Sequence, residues 1–238
     1  MHMPLPVRAI LFDVFGTVVD WRSSMFAEIN DFKVKKNIEV DVESFIDLWR
    51  AAYRQGMADM RAGKSKKMSN RMVYRTALQH LLNEHLNEYF TNDELDHLSR
   101  IDHRYHPWPD SIPGLTRLKK KLITGTLSNG TSVALINMAK NAGLPWDVIF
   151  SANMLGIHKP SPKAYLTAVK LLGLDPDHVI LAAAHNQDLK AARAVGLKTA
   201  FICRPTEFGP YQEKDTTAEG PWDFITNSVE ELADQLGA

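Results

Sequence analysis

Polar side chains that can do chemistry follow four of the short apolar runs in this 238-residue sequence. They are an aspartate, a hydroxyl–amide pair, a lysine, and a segment that ends in a second aspartate: Asp13, Ser128-Asn129, Lys159 and His185-Asn186-Gln187-Asp188. A carboxylate can act as a nucleophile or transfer a proton, and a nearby lysine can balance its charge. What these residues could do together depends on whether the fold brings the segments to one place.

The apolar runs predict the strands of a parallel sheet. Each run is apolar on both faces, which is typical of strands buried between layers of helices. The runs span residues 7–12, 122–127, 148–150, 179–184 and 199–203. Helical patterns over residues 131–142, 162–172 and 186–195 lie between them, and each stops before a glycine, as helices with left-handed C-terminal caps do. The alternation predicts an α/β fold with a doubly wound, mostly parallel, Rossmann-like sheet.

This fold predicts where the polar segments lie. Open α/β sheets place their sites at the carboxyl ends of the strands. The segments follow their strands, and Thr17 lies in the same turn as Asp13. We therefore expect the two aspartates, the hydroxyl–amide pair and Lys159 to converge on one edge of the sheet.

Residues 21–105 differ from the rest of the chain, because they contain no convincing strand run and much helical spacing. Two apolar faces recur at this spacing: Phe45, Leu48, Trp49 and Ala52, and then Val73, Ala77, Leu81 and Leu82. We predict an α/β core domain formed by residues 1–20 and 106–238, with a helical cap domain, residues 21–105, inserted after the first strand.

Charge and cysteine content exclude several classes of protein. The 28 basic and 28 acidic side chains give a formal net charge of zero, whereas proteins that bind nucleic acids or anionic membranes usually carry basic excesses or clusters. The single cysteine, Cys203, cannot form an internal disulfide, which favours a reducing compartment. Residues 1–6 carry no signal-peptide pattern. We expect a cytoplasmic protein that acts on a small molecule, with no nucleic acid and no membrane as partner.

The four polar segments resemble, in order and position, the four motifs of the haloacid dehalogenase superfamily, and residues 21–105 resemble its helical cap. Phosphatases of the superfamily carry a second aspartate where this chain has Phe15. They also need further carboxylates in the fourth segment to hold Mg²⁺, where residues 182–184 are alanines. With both departures, the chain resembles the type II (S)-2-haloacid dehalogenases, a branch of the superfamily that works without metal. We therefore expect no metal and no cofactor.

The resemblance, carried over position by position, implies a nucleophile with its halide and substrate sites. Asp13 would be the nucleophile that forms an aspartyl ester. Arg50 and Asn129 would hold the departing halide, and Ser128 would bind the substrate carboxylate. Phe15 would form a wall of the apolar pocket that a poorly hydrated nucleophile needs.

The same resemblance implies residues that support the nucleophile. Lys159 would orient and stabilise Asp13, and Thr17 would donate a hydrogen bond nearby. Asp188 would help to position or activate water. Tyr165 matches a polar tyrosine of this branch.

One departure concerns the water step. The best-known members of the branch carry a serine where Ala183 stands and an asparagine where His185 stands. We predict that His185 and Asn186 take over the positioning of water, because a neutral imidazole can accept a proton near pH 7.

The activity implied by the resemblance is metal-independent hydrolysis of short 2-haloalkanoic acids to 2-hydroxy acids and halide. The implied partners are the small 2-haloacid and, in a homodimer, a second copy of the chain. Two alternatives stay open: a phosphatase of the same superfamily, and a catalytically silent binding protein on this fold. The preferred halogen, chain length and enantiomer also stay open.

Overall fold

The computed structural model describes residues 7–66, 68–85 and 90–238, so residues 1–6, for which no signal peptide is expected, lie outside the described residues. The chain forms two compact units. One is an α/β unit made of the chain up to Trp21 together with Tyr105–Ala238, and the other is a helical unit, Arg22–Arg104. Each boundary lies one residue from the predicted one.

Among the described residues, the strands all belong to the α/β unit, where helices are interspersed with them, and the helical unit consists of helices and their connections. The strands are β1 (Ala9–Phe12), β2 (Val19–Asp20), β3 (His106–Pro107), β4 (Ile123–Ser128), β5 (Val148–Ser151), β6 (Val179–Ala183), β7 (Lys198–Ile202) and β8 (Phe224–Thr226). The first helices are α1 (Trp21–Lys36), α2 (Val42–Arg61), α3 (Asn70–His85) and α4 (Asn92–Leu98). The later helices are α5 (Ser111–Leu118), α6 (Ser132–Ala142), α7 (Ala152–Leu155), α8 (Pro162–Leu171), α9 (Asn186–Ala194) and α10 (Val229–Gln235).

Six strands form one sheet in the order β5-β4-β1-β6-β7-β8. Every neighbouring pair in it is parallel. The fold prediction is therefore confirmed: this is a parallel sheet flanked by helices. In the register, Phe12 at the end of β1 lies opposite Thr126 of β4 and Ala182 of β6. The residues that follow β1, β4 and β6 consequently emerge side by side at one edge.

The local sequence accounts for where the helices begin and end. The Thr131 side chain accepts a hydrogen bond from the backbone of Ala134 at 3.2 Å and caps the start of α6. Gly143 ends the same helix with a φ of 71°, a left-handed conformation that glycine adopts without steric cost. The helix therefore runs between two residues whose types suit its ends.

Two features of the α/β unit were absent from the sequence prediction. β8 has three residues, which is too short to stand out as an apolar run. β2 and β3 form a two-residue antiparallel pair. Short pairs of this kind depend on the approach of distant segments and leave little periodic signal in the sequence.

The apolar faces of the helical unit are mostly as predicted. Phe45 and Trp49 of α2 are buried, and so are the four apolar positions of α3. Leu48 was wrongly predicted to share that face, because its side chain is 43% exposed. No helix within the described ranges is both long and apolar enough to span a bilayer.

Candidate active site

Asp13 lies immediately after the central strand β1, where its backbone nitrogen donates to the carbonyl of Ala182 at 2.9 Å. The residue is 7% exposed. Lys159 Nζ donates to its Oδ1 at 2.9 Å, and Thr17 Oγ1 donates to its Oδ2 at 3.0 Å. Both carboxylate oxygens therefore have hydrogen-bond donors, so the charged form of this buried aspartate is satisfied.

Lys159 connects the two aspartates that the sequence singled out. Its ammonium donates to Asp188 Oδ2 as well as to Asp13. Tyr165 Oη donates to the other oxygen of Asp188 at 2.5 Å. The predicted supporting residues thus form one continuous hydrogen-bonded chain that starts at Asp13.

Charge pairing outweighs burial in this chain. Burial alone would raise the pKa of Asp13, but the positive charge of Lys159 and the hydrogen bond with His185 hold it well below its ordinary value. Burial alone would lower the pKa of Lys159, but Asp13 and Asp188 raise it. Burial and the charge of Asp188 both raise the pKa of Tyr165. Asp13 is consequently a carboxylate and Lys159 an ammonium at neutral pH.

His185 and Lys159 contact different carboxylate oxygens of Asp13. Its Nδ1 is 3.1 Å from Asp13 Oδ2, and its Nε2 is 3.0 Å from an oxygen of Glu207. Burial lowers the pKa of His185, but hydrogen bonds with the two carboxylates outweigh this and raise it well above 6.5. The prediction of a neutral imidazole is therefore wrong for the resting site, because both ring nitrogens face negative charge.

Glu207 was missed by the sequence analysis. It lies in the segment that follows β7, outside the four motif-like segments, and is 3% exposed. The one available signal was its position after a strand whose carboxyl end lies at the same edge of the sheet. Acidic residues in long loops are usually solvated, so this signal is weak.

Thr17 and Asn129 each connect their own loop to another loop by hydrogen bonds. Thr17 Oγ1 accepts a hydrogen bond from Ala184 N at 2.9 Å, which ties the turn after β1 to the end of β6. Asn129 donates to the carbonyl of Lys159 at 3.0 Å and accepts from its backbone nitrogen at 2.8 Å. Asn129 therefore fixes the backbone that carries Lys159, and its role in halide binding stays a prediction.

Ser128 and Phe15 both lie next to Gly130. Ser128 is buried, and its Oγ accepts from Gly130 N at 3.2 Å. A Cβ at position 130 would lie 2.6 Å from the ring of Phe15, so this ring packs directly on the glycine backbone. The same ring meets Tyr105 edge-on at a centroid distance of 6.0 Å. Phe15 thus supplies an apolar surface within the α/β unit.

Asn186 does not take the place predicted for it. Its Nδ2 donates to Asp215 Oδ1 at 2.9 Å and to the carbonyl of Thr217 at 3.0 Å. Its Oδ1 accepts from Glu219 N and from Trp222 Nε1, both at 2.9 Å. The whole amide is used to hold residues 215–222, so we correct the prediction: Asn186 is a structural anchor rather than a substrate or water ligand.

Arg50 belongs to α2 of the helical unit. Its Nη1 donates to Tyr74 Oη at 3.1 Å. Its role at the halide stays a prediction that rests on the resemblance.

The site does not fit a divalent cation. Mg²⁺ prefers octahedral oxygen ligands, and the carboxylates of Asp13 and Asp188 are both bound to the Lys159 ammonium. His185 Nδ1 faces the second oxygen of Asp13. Over the described part of the chain, no group of three or more His, Cys, Asp or Glu side chains could hold a metal ion.

Known proteins resemble the chain over nearly its full length. The family model of haloacid dehalogenase-like hydrolases matches residues 7–196. A solved structure of a defluorinating L-2-haloacid dehalogenase has 44% sequence identity and a TM-score of 0.90, and the match covers 99% of this chain and 100% of that one. The (S)-2-haloacid dehalogenase 4A of Burkholderia cepacia is 24% identical over 239 residues, 95% of this chain and 98% of that protein. A glyceraldehyde 3-phosphate phosphatase of Pyrococcus furiosus is 26% identical over 259 residues, 97% of this chain and 93% of that protein.

Proposed function

The chain belongs to the haloacid dehalogenase-like hydrolases, and we propose that it hydrolyses the carbon–halogen bond of short 2-haloalkanoic acids without a metal. The observation that carries this proposal is Asp13, a buried carboxylate whose pKa is lowered mainly by Lys159 against the effect of burial. A carboxylate of this kind is available as a nucleophile at neutral pH. Similarity to proteins named as 2-haloacid dehalogenases supports the choice of substrate.

In the first step, an oxygen of Asp13 attacks the carbon that bears the halogen. The carbon–halogen bond breaks, the halide leaves with the electron pair, and an aspartyl ester forms. We assign the substrate carboxylate to Ser128 and the departing halide to Arg50 and Asn129. Phe15 keeps an apolar surface beside the nucleophile, which limits its hydration.

In the second step, water attacks the carbonyl carbon of the ester. Esterification removes the negative charge of Asp13, so the pKa of His185 falls and the ring can lose its Nδ1 proton to solvent. One hydrogen of the attacking water then goes to His185 Nδ1, and the other ends on the hydroxyl group of the product. The bond between the carbonyl carbon and the alkyl oxygen breaks, and the Asp13 carboxylate is regenerated. The balance over both steps is one 2-hydroxy acid, one halide and one proton.

Halide release tests the proposal. We expect the purified protein to release halide from 2-chloropropionate or a haloacetate, and EDTA should leave the rate unchanged. Asp13→Asn should abolish release, because an amide is a poor nucleophile. Asp177→Asn is the matched control, since that carboxylate is 48% exposed on the short helix before β6. A panel of fluoro-, chloro- and bromoacetate with both 2-chloropropionate enantiomers defines the substrate range.

The same preparation separates the two alternatives. A single turnover in ¹⁸O-labelled water should place the label on Asp13, as mass spectrometry of the Asp13 peptide would show. A silent binding protein would take up no label. Hydrolysis of phosphate esters with Mg²⁺, together with no halide release from any haloacid, would overturn the proposal in favour of a phosphatase.

A further inference from the structure

Glu207 has no role in the two proposed steps, yet it is one of the most buried acidic residues of the site, at 3% exposure. Its carboxylate accepts a hydrogen bond from Trp21 Nε1 at 3.1 Å. The same carboxylate lies 3.0 and 3.2 Å from His185 Nε2 through its two oxygens. A buried carboxylate with these contacts is held in place and directed at the imidazole.

The backbone of the turn after β1 leaves room for this carboxylate. Gly16 has a φ of 86°, and a Cβ at that position would lie 2.0 Å from Glu207 Oε1. The carboxylate therefore occupies the space that any other residue at position 16 would fill.

The segment that carries Glu207 is anchored to the same turn. Arg204 donates through Nε to the carbonyl of Thr17 at 3.0 Å, and it forms an ion pair with Asp110 at 2.8 Å. Glu207 N donates to the carbonyl of Arg204 at 3.2 Å. These bonds fix the distance between Glu207 and the Asp13 turn.

The charges around the His185 ring are arranged asymmetrically. Asp13 faces Nδ1 and Glu207 faces Nε2. Lys159 binds the far oxygen of Asp13, and Arg204 is paired with Asp110. When Asp13 becomes an ester, it loses its charge, and Glu207 then remains as the carboxylate on the ring.

We propose that Glu207 is a positioning residue that holds the Nε2–H of His185, so that Nδ1 is the ring atom that exchanges a proton beside Asp13. This inference rests on the proposed function for its catalytic consequence. Glu207 forms and breaks no covalent bond in either step. The Nδ1 proton leaves when the ester forms, and a proton from the attacking water replaces it when the ester is hydrolysed. A carboxylate that orients a histidine and stabilises its protonated form has the same physical effect in other hydrolytic sites.

The decisive variants are Glu207→Gln, which removes the charge, and Glu207→Asp, which keeps the charge but shortens the side chain. Glu213→Gln is the matched control, because Glu213 is exposed in the same segment. Rapid-quench mass spectrometry with 2-chloropropionate measures formation and decay of the Asp13 ester separately. Circular dichroism and thermal melts establish that each variant is folded, and Glu207→Asp provides the test if Glu207→Gln is not.

We expect Glu207→Gln to slow ester hydrolysis about 10- to 100-fold, which is part of the roughly 10²–10⁴ that a positioned base contributes. The ester should accumulate, since its formation does not need a basic Nδ1. In a plot of hydrolysis rate against pH, the rate should fall at acidic pH as His185 is protonated, and we call this part of the curve the acid limb. In Glu207→Gln the acid limb should move to lower pH by about one to three units, because a carboxylate at this distance raises a histidine pKa by that amount. Glu207→Asp should lower the rate but leave the limb nearer its wild-type position. An unchanged limb together with no ester accumulation in Glu207→Gln would overturn the proposal.

Histidine NMR tests the pairing without turnover. With ¹⁵N-labelled histidine, and with His185→Gln to assign the signal, His185 should titrate well above its ordinary value in the resting protein. Glu207→Gln should lower this titration midpoint by about one to three units, and Glu213→Gln should leave it unchanged. An identical midpoint in Glu207→Gln would refute the inference even if the wild type is a dehalogenase. If the wild type releases no halide but the midpoint shifts, the proposed function fails and the pairing of Glu207 with His185 stands.

Discussion

Two aspartates, one in each unit of the molecule, respond to burial in opposite ways. The pKa of Asp13 in the α/β unit is lowered, because Lys159 and His185 outweigh the desolvation of its carboxylate. The pKa of Asp102 in the helical unit is raised to about 6 by desolvation, although 28% of its side chain is exposed, and its own backbone hydrogen bond and the charges of Arg104 and Arg50 offset this only in part. Asp102 lies in the short helix Ile101–His103.

The difference lies in the contacts of the carboxylates. Asp13 has a cation at hydrogen-bond distance, with Lys159 Nζ 2.9 Å from Oδ1. His103 Nε2 is 3.8 Å from an oxygen of Asp102, and the pKa of this histidine is itself lowered by burial and by nearby arginines, so the ring is neutral at pH 7. Burial therefore does not keep an aspartate charged. A cation in direct contact does, because it favours the charged form in a low dielectric.

The largest effect should come from Lys159→Met, which would make Asp13 resemble Asp102. Without Lys159, the pKa of the buried carboxyl should rise, because His185 alone is left to offset its desolvation, and dehalogenation should fall by about 10²–10³-fold or more. Breaking a buried ion pair should also lower the free energy of unfolding by about 3–5 kcal/mol. Turnover assays and urea denaturation measure the two effects. Lys163→Met is the control, since Lys163 is exposed in the first turn of α8. Wild-type turnover in Lys159→Met would contradict the role given to the lysine.

Asp13→Asn and Asp102→Asn should have a smaller effect. They should change the free energy of unfolding in opposite directions. A folded-state pKa near 6 means that Asp102 destabilises the fold as pH rises from 3.8 through 6. Asp102→Asn should therefore raise the free energy of unfolding by about 1–2 kcal/mol above pH 6, and the gain should vanish near pH 4. The pKa of Asp13 is lowered, so its stabilising contribution is present above 3.8 and is lost as pH falls through the folded-state value. Asp13→Asn should therefore be destabilising at neutral pH.

Urea titrations at pH 4 and pH 7 compare these two variants directly. If both substitutions change the free energy of unfolding in the same direction at pH 7, the contrast drawn between Asp13 and Asp102 is wrong.

The smallest effect should come from the exposed ion pairs of the helical unit. Arg22 binds Asp47 at 2.6 Å, but the Asp47 side chain is 63% exposed and Arg22 has a second partner in Glu43. Asp47→Asn should change the free energy of unfolding by less than about 1 kcal/mol, because solvent and salt screen such pairs. Denaturation at low and high salt measures it. If Asp47→Asn lowered the free energy of unfolding as much as Lys159→Met does, burial would not account for the difference between the two kinds of ion pair.

The sequence was sufficient to predict five of the six strands of the sheet and the place where several polar side chains converge. Apolar runs of three to six residues mark these strands, and Asp13, Ser128 and His185 directly follow three of the runs. Because parallel strands end at one edge, local sequence predicts their convergence. The pairing of Asp13 with Lys159 also came from the sequence, through a resemblance of motifs.

The rest of the site depends on contacts between segments that are distant in the chain. His185 lies 172 positions from Asp13 and 22 from Glu207, and these two contacts decide that its ring is protonated at rest. Asn186 is next to His185 in sequence, yet its amide faces residues 215–222. The ionisation of a group depends on its burial and on charges within a few ångströms. Composition and spacing therefore indicated which residues could do chemistry, while tertiary packing set their protonation and their roles.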